Sequence, residues 1–149
     1  MDELRRKGLA KMNDVYGWEM PDIEGDPFFD LTVEHLFGTI WTRPGLSMRE
    51  RRIMTLTAVT ALGLQDLAEI QANAALHNEE LSAVELKEIA IFLTHYLGFP
   101  LGSKLDGVVS RVVAKRKSAA EKGKKEDKKA NVNDALKMHS GKTLDDPTL

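Results

Sequence analysis

Two tetrapeptides constrain this chain more than any other feature: Ser47-Met48-Arg49-Glu50 and Ser82-Ala83-Val84-Glu85. Each places a glutamate three residues after a serine. In that pattern the serine hydroxyl and the glutamate carboxylate reciprocally satisfy backbone N–H groups at a helix start. The first predicts a helix from Met48 to Leu62, stopped by Gly63. Its second half, Ile53 to Leu62, carries no charge on any face, which predicts the buried centre of a bundle. The second predicts a helix from Ala83 to Leu97. There Leu86, Ile89, Ala90, Leu93 and Leu97 recur at helical spacing, and Gly98 and Pro100 end the run.

The rest of the chain follows the same period. Asp66 to Asn78 is a third predicted helix, with Leu67, Ile70 and Ala74 inward. Pro27 to Ile40 is a fourth, with Phe29, Val33, Leu36, Phe37 and Ile40 as its apolar set. Pro100 to Lys117 is a fifth, with Ser103 as its candidate cap. The first 26 residues hold apolar anchors (Val15, Tyr16, Trp18, Met20) among acidic residues, and are expected to lie across the bundle surface. No period-2 run bounded by turn residues is present, so strands are not expected. The fold class is all-α. The domain is expected over residues 1–120. Residues 121–149 are a charged C-terminal tail, with one short helical turn within Asn133 to Leu149.

Composition narrows the chemistry. A chain of 149 residues suffices for one domain with a real core, and 42% hydrophobic with 30% charged residues is ordinary for a soluble protein. There is no cysteine, which removes disulfides, thiolate metal sites and cysteine nucleophiles, and fits a cytoplasmic location. The N-terminus has no apolar signal core, and the longest apolar stretch is too short to span a bilayer. No two histidines are spaced for a shared metal, so no metal site is expected. The net charge of -2 gives no global basic field. The basic tract from Arg111 to Lys129 is diluted by acids and lacks aromatics, so it reads as a solvated helix face rather than a nucleic-acid surface.

The corner Phe37 to Arg52 holds Trp41, Pro44 and four arginines. Arg43 precedes a proline and is pushed to extended geometry. Arg49, Arg51 and Arg52 fall on the first turns of a helix, where positive charge opposes the macrodipole. Such a cluster needs compensation, from Glu34, Glu50, a neighbouring subunit or an anionic ligand. His95 and Tyr96, adjacent at a helix end, point about 100° apart. One is expected to face the core and the other a neighbour or pocket, and His95 has the chemistry of a proton donor near neutral pH. Glu69 and Gln71 share the middle helix on different faces.

These residues resemble the carboxymuconolactone decarboxylase family, in its cysteine-free decarboxylase branch. The resemblance rests on Phe37-Gly38, then Trp41-Thr42-Arg43-Pro44-Gly45-Leu46, then Arg51 and the apolar run Met54 to Gly63. Downstream it rests on Glu85, Leu86 and Glu88, and on Tyr96-x-Gly98-x-Pro100. It covers roughly Leu9 to Val113. It implies an alkylhydroperoxidase D-like helical bundle that assembles as a homo-oligomer, a trimer or hexamer. It also implies cofactor-independent decarboxylation of a small anionic lactone. In that scheme Arg51 and Arg43 hold a carboxylate, Trp41 walls the site, and His95, Tyr96 or Glu69 supplies a proton. Gln71 stands where the family carries a histidine; glutamine donates hydrogen bonds but does not transfer protons at neutral pH. The usual Asn-Gly turn after this helix is also absent, with one extra residue in its place. A catalytically silent or repurposed small-acid-binding member is therefore a second expectation.

Overall fold

The computed structural model describes residues 2–122, and these divide into two compact units at Gly45/Leu46. The order is α1 (Glu3–Tyr16), α2 (Pro27–Asp30) running directly into a π-helix (Leu31–Ile40), then α3 (Met48–Ala61), α4 (Gln65–His77), α5 (Ala83–Leu97) and α6 (Phe99–Glu121). No strand occurs among the described residues. The expected tail beyond residue 122, with its short helical turn, lies outside them.

In the N-terminal unit, residues 3–16 form a regular helix. Asp2 caps it, accepting from the Leu4 N–H, and Gly17 closes it in the left-handed region at φ 80°. Gly8 is buried against the π-helix, so closely that a β-carbon there would sit 2.0 Å from the Val33 carbonyl oxygen. Arg5 ties the same two helices and the loop between them. Its guanidinium meets Asp22 at 2.6 Å, Asp30 at 2.7 Å and Glu34 at 3.2 Å. The hydrogen bond to Asp22, then that to Asp30, holds its pKa above the usual arginine value.

The expected fourth helix forms, but wound more widely. Its backbone closes with the Trp41 N–H on the Leu36 carbonyl, five residues back. A wider turn brings Phe29, Val33, Phe37 and Trp41, each four apart, to one face, and all four are buried. Leu36 and Ile40, expected inward from α-helical spacing, are instead 41% and 39% exposed.

In the second unit both serine–glutamate capping boxes form as expected, at Ser47/Glu50 and Ser82/Glu85. The core is Leu56 of α3, the small face Ala68, Ala72 and Ala75 of α4, Leu86, Ala90 and Leu93 of α5, and Leu105, Val108, Val109 and Val112 of α6. Of the expected inward face of α4, Ala74 is fully buried, whereas Leu67 and Ile70 are half-buried and alanines let the neighbouring helices approach. α6 begins at Phe99, with Pro100 in its first turn, so Ser103 lies inside the helix and is not its cap. Close contact of α5 with α6 requires Gly102, where a β-carbon would meet the Thr94 hydroxyl at 1.9 Å. α3 is not buried all round: Met54 is 51% and Leu62 72% exposed. On α5, Val84, Ile91, Phe92 and Tyr96 are also exposed.

Candidate functional site

The start of α3 shows what compensates its arginines. Arg49 pairs with Glu85 on α5. Arg51 is half-buried and its Nη1 donates to the Leu46 carbonyl at 2.9 Å. Arg52, one residue on and about 100° round the helix, points into the unit and has no exposed surface. It lies in line with Leu56 and Thr60, the other buried residues of α3. Glu34, one of the expected partners, is taken by Arg5, and Glu50 serves the capping box.

Arg52 is fully engaged. Its Nε donates to Glu80 Oε1 at 2.7 Å and its Nη2 to Glu80 Oε2 at 3.2 Å, a bidentate pair. Its Nη1 donates to Gln71 Oε1 at 2.5 Å. The loop after α4 brings Glu80 there. The Glu80 and Leu81 N–H groups both turn back to the Ala75 carbonyl, at 2.9 and 3.3 Å. Glu79 takes a left-handed φ of 57° in this turn, a conformation that glycine adopts more readily. The result is a buried Arg52–Glu80–Gln71 cluster linking α3, α4 and the α4–α5 loop. Glu80 exposes 8% of its side chain and Gln71 is 7% exposed.

Of the residues expected at the site, the structure brings only Gln71 into this cluster. Glu69, two residues away and on another face of α4, pairs with Lys115 at 3.1 Å. His95 and Tyr96 both lie on the exposed side of α5, so neither faces the core within one chain. His95 Nδ1 sits 2.8 Å from the Ile91 carbonyl, and Tyr96 packs against the Phe92 ring at 5.1 Å between centroids. In the N-terminal unit, Trp41 is buried and stacks on Phe37 at 6.2 Å, beside the Tyr16–Trp18 stack at 5.6 Å. Burial pushes the Tyr16 phenol above its ordinary pKa, so it stays neutral. Arg43 is exposed. Among the described residues no three histidine or carboxylate side chains group closely enough to hold a metal ion, and no helix is long and apolar enough to cross a membrane.

The sequence reading missed Arg52 and Glu80 as site residues. A signal existed: Arg52, Leu56 and Thr60 are spaced i, i+4, i+8 on one face, and Glu80 stands beside the second capping box.

The sequence that builds this arrangement is similar to known proteins. The model of the carboxymuconolactone decarboxylase family matches residues 26–105, more than half of the chain. The chain belongs to the carboxymuconolactone decarboxylase family. The match begins in the N-terminal unit and ends within α6. Similar relatives carry decarboxylase names. A 4-carboxymuconolactone decarboxylase of Acinetobacter baylyi is 30% identical over 108 residues, covering 66% of this chain and 79% of that protein. A nitrosuccinic acid decarboxylase of Metarhizium robertsii is 27% identical over 110 residues, covering 66% and 76%. No solved structure matches the chain significantly. Family membership accords with the all-helical architecture, and makes this a decarboxylase-like member.

Proposed function

We propose that this family member is a cofactor-independent, cytoplasmic carboxy-lyase acting on a small carboxylated lactone, with 4-carboxymuconolactone to 3-oxoadipate enol-lactone as the type reaction. The observation that carries this reading is that two relatives of different organisms, matched over most of their length, are both named decarboxylases of small acids.

The chemistry asks for few groups. The bond to the leaving carboxylate breaks, and its electron pair moves through the ring alkene to the lactone carbonyl, giving a dienolate and CO2. A proton added at carbon then gives the enol lactone. Such a reaction needs a cation for the acid, a donor at the developing oxyanion, a proton donor, and a wall that excludes water. Arg51 and Arg43 are assigned to the acid, Trp41 to the wall and Gln71 to a hydrogen bond. The proton comes from His95, Tyr96 or Glu69. Because His95 and Tyr96 face outward from a single chain, a neighbouring copy in a trimer or hexamer completes the site in this reading. The exposed apolar side chains of α3 and α5 support such an assembly.

Purified protein is expected to release CO2 from 4-carboxymuconolactone, with loss of the lactone's ultraviolet absorbance. A second reading is a catalytically silent binder of small acids, favoured by Gln71 at the position where the family resemblance places a histidine. Binding of the lactone without CO2 release would select it and reject the lyase.

A further inference from the structure

We propose that Arg52 and Glu80 are positioning residues that lock Gln71 as a hydrogen-bond donor to an oxygen of the bound acid; this rests on the small-acid reading above. A guanidinium carries only N–H donors. The end of the Gln71 amide that faces Arg52 Nη1 at 2.5 Å is therefore its carbonyl oxygen. The amide's –NH2 is directed away from Arg52. Turning the amide over would set donor against donor. Arg52 cannot swing aside to relieve this, because Glu80 holds it by both Nε and Nη2.

The order of control thus runs from Glu80 through Arg52 to Gln71. Gln71 is 7% exposed, yet no described residue accepts from its Nε2. That nitrogen keeps contact with solvent, so it is open to an acceptor from outside the protein. An oxygen of a small carboxylate or lactone carbonyl supplies the acceptor. A histidine in this place would change its protonation state across neutral pH; a glutamine held in this way presents the same donor throughout. Arg52 and Glu80 touch no ligand in this scheme and act only through Gln71.

The test uses the full-length, ¹⁵N-labelled protein and paraconate, a saturated lactone carboxylate without the ring alkene that decarboxylation requires. The Gln71 side-chain amide signals are those lost in Gln71→Glu. We expect them to shift on paraconate addition, with an affinity constant between about pH 6 and 8, the range where a histidine would titrate. Gln71→Glu keeps an acceptor for Arg52 but turns an oxygen toward the acid, and is expected to lose binding. Glu80→Leu is expected to weaken binding about tenfold, the loss of roughly one hydrogen bond. Glu80→Gln, whose carbonyl still accepts from Arg52 Nε, is expected to stay within about threefold of wild type.

Gln71 signals that paraconate leaves unmoved overturn the proposal, as does a folded Glu80→Leu that binds like wild type. Should Glu80→Leu fail to fold, Gln71→Glu decides, and wild-type binding by it overturns the proposal. Paraconate is not turned over, so the two readings fail separately. Shifted Gln71 signals with inert 4-carboxymuconolactone would end the lyase reading and leave the donor assignment standing.

Discussion

Arg52 has a charged head with no exposed surface, and such a group persists only where neighbours replace its water. Glu80 and Gln71 do so. Removing one member leaves the other stranded, which costs about 3–5 kcal/mol for a buried ion pair. Arg52→Met is therefore expected to lose roughly that much stability in urea denaturation, because the Glu80 carboxylate stays behind in the interior. The double variant Arg52→Met/Glu80→Leu is expected to recover most of the loss. A single variant as stable as wild type would mean that the pair is not buried as described. This arginine also marks the limit of what was legible. The cluster Arg49, Arg51 and Arg52 was visible in the sequence, and so was its need for counter-charge. Which member turns inward depends on helix rotation, and neighbours differ by about 100°. That rotation is set by packing against α4, where alanines rather than leucines form the contact face.

Helix boundaries set by local chemistry were legible; those set by packing were not. Both capping boxes act within four residues, so the starts of α3 and α5 follow from sequence alone. The π-winding of Leu31–Ile40 does not, because it goes with a contact made at a distance, Gly8 against the Val33 carbonyl. Gly8→Ala is expected to cost about 1–3 kcal/mol, the usual range for overpacking, since backbone cannot move aside as a side chain can. Gly45→Ala, with nothing within 4 Å of the new methyl, is expected to change stability by less than about 0.5 kcal/mol. Thermal melts of the two variants separate the effects, and equal losses would contradict the close approach.

The caps also have a pH signature. The Ser47 side chain holds the Glu50 carboxyl below its ordinary pKa, and the Ser82 backbone N–H does so for Glu85. A carboxylate with a lowered folded pKa stabilises the native state above its unfolded value, about 4.3, and loses that contribution as pH falls through the folded value. The stability difference between wild type and Glu50→Gln/Glu85→Gln is expected to be flat from neutral pH down to the unfolded value. It is then expected to shrink toward acid. A difference that grows toward acid would contradict the caps.

For the molecule as a whole, the family match joins the two units into one evolutionary module over residues 26–105. The all-helical class was legible because every long segment has helical spacing and none alternates. The expectation that the second half of α3 is buried all round fails, because Met54 and Leu62 lie in solvent. Val84, Ile91, Phe92 and Tyr96 are exposed as well; if the proposed assembly holds them, light scattering is expected to give the mass of three or six chains. Phe92→Asp is expected to reduce that mass, and a monomer at every concentration would contradict assembly.

The reading of this protein as a lyase is tested most directly by kcat/KM for CO2 release from 4-carboxymuconolactone, measured on wild type and Arg51→Ala side by side. We expect measurable turnover by wild type and a loss of at least about a hundredfold in Arg51→Ala, with its helical signal and melting temperature retained, as for removal of a charged transition-state contact. No turnover by wild type, or equal rates from the two proteins, would contradict it.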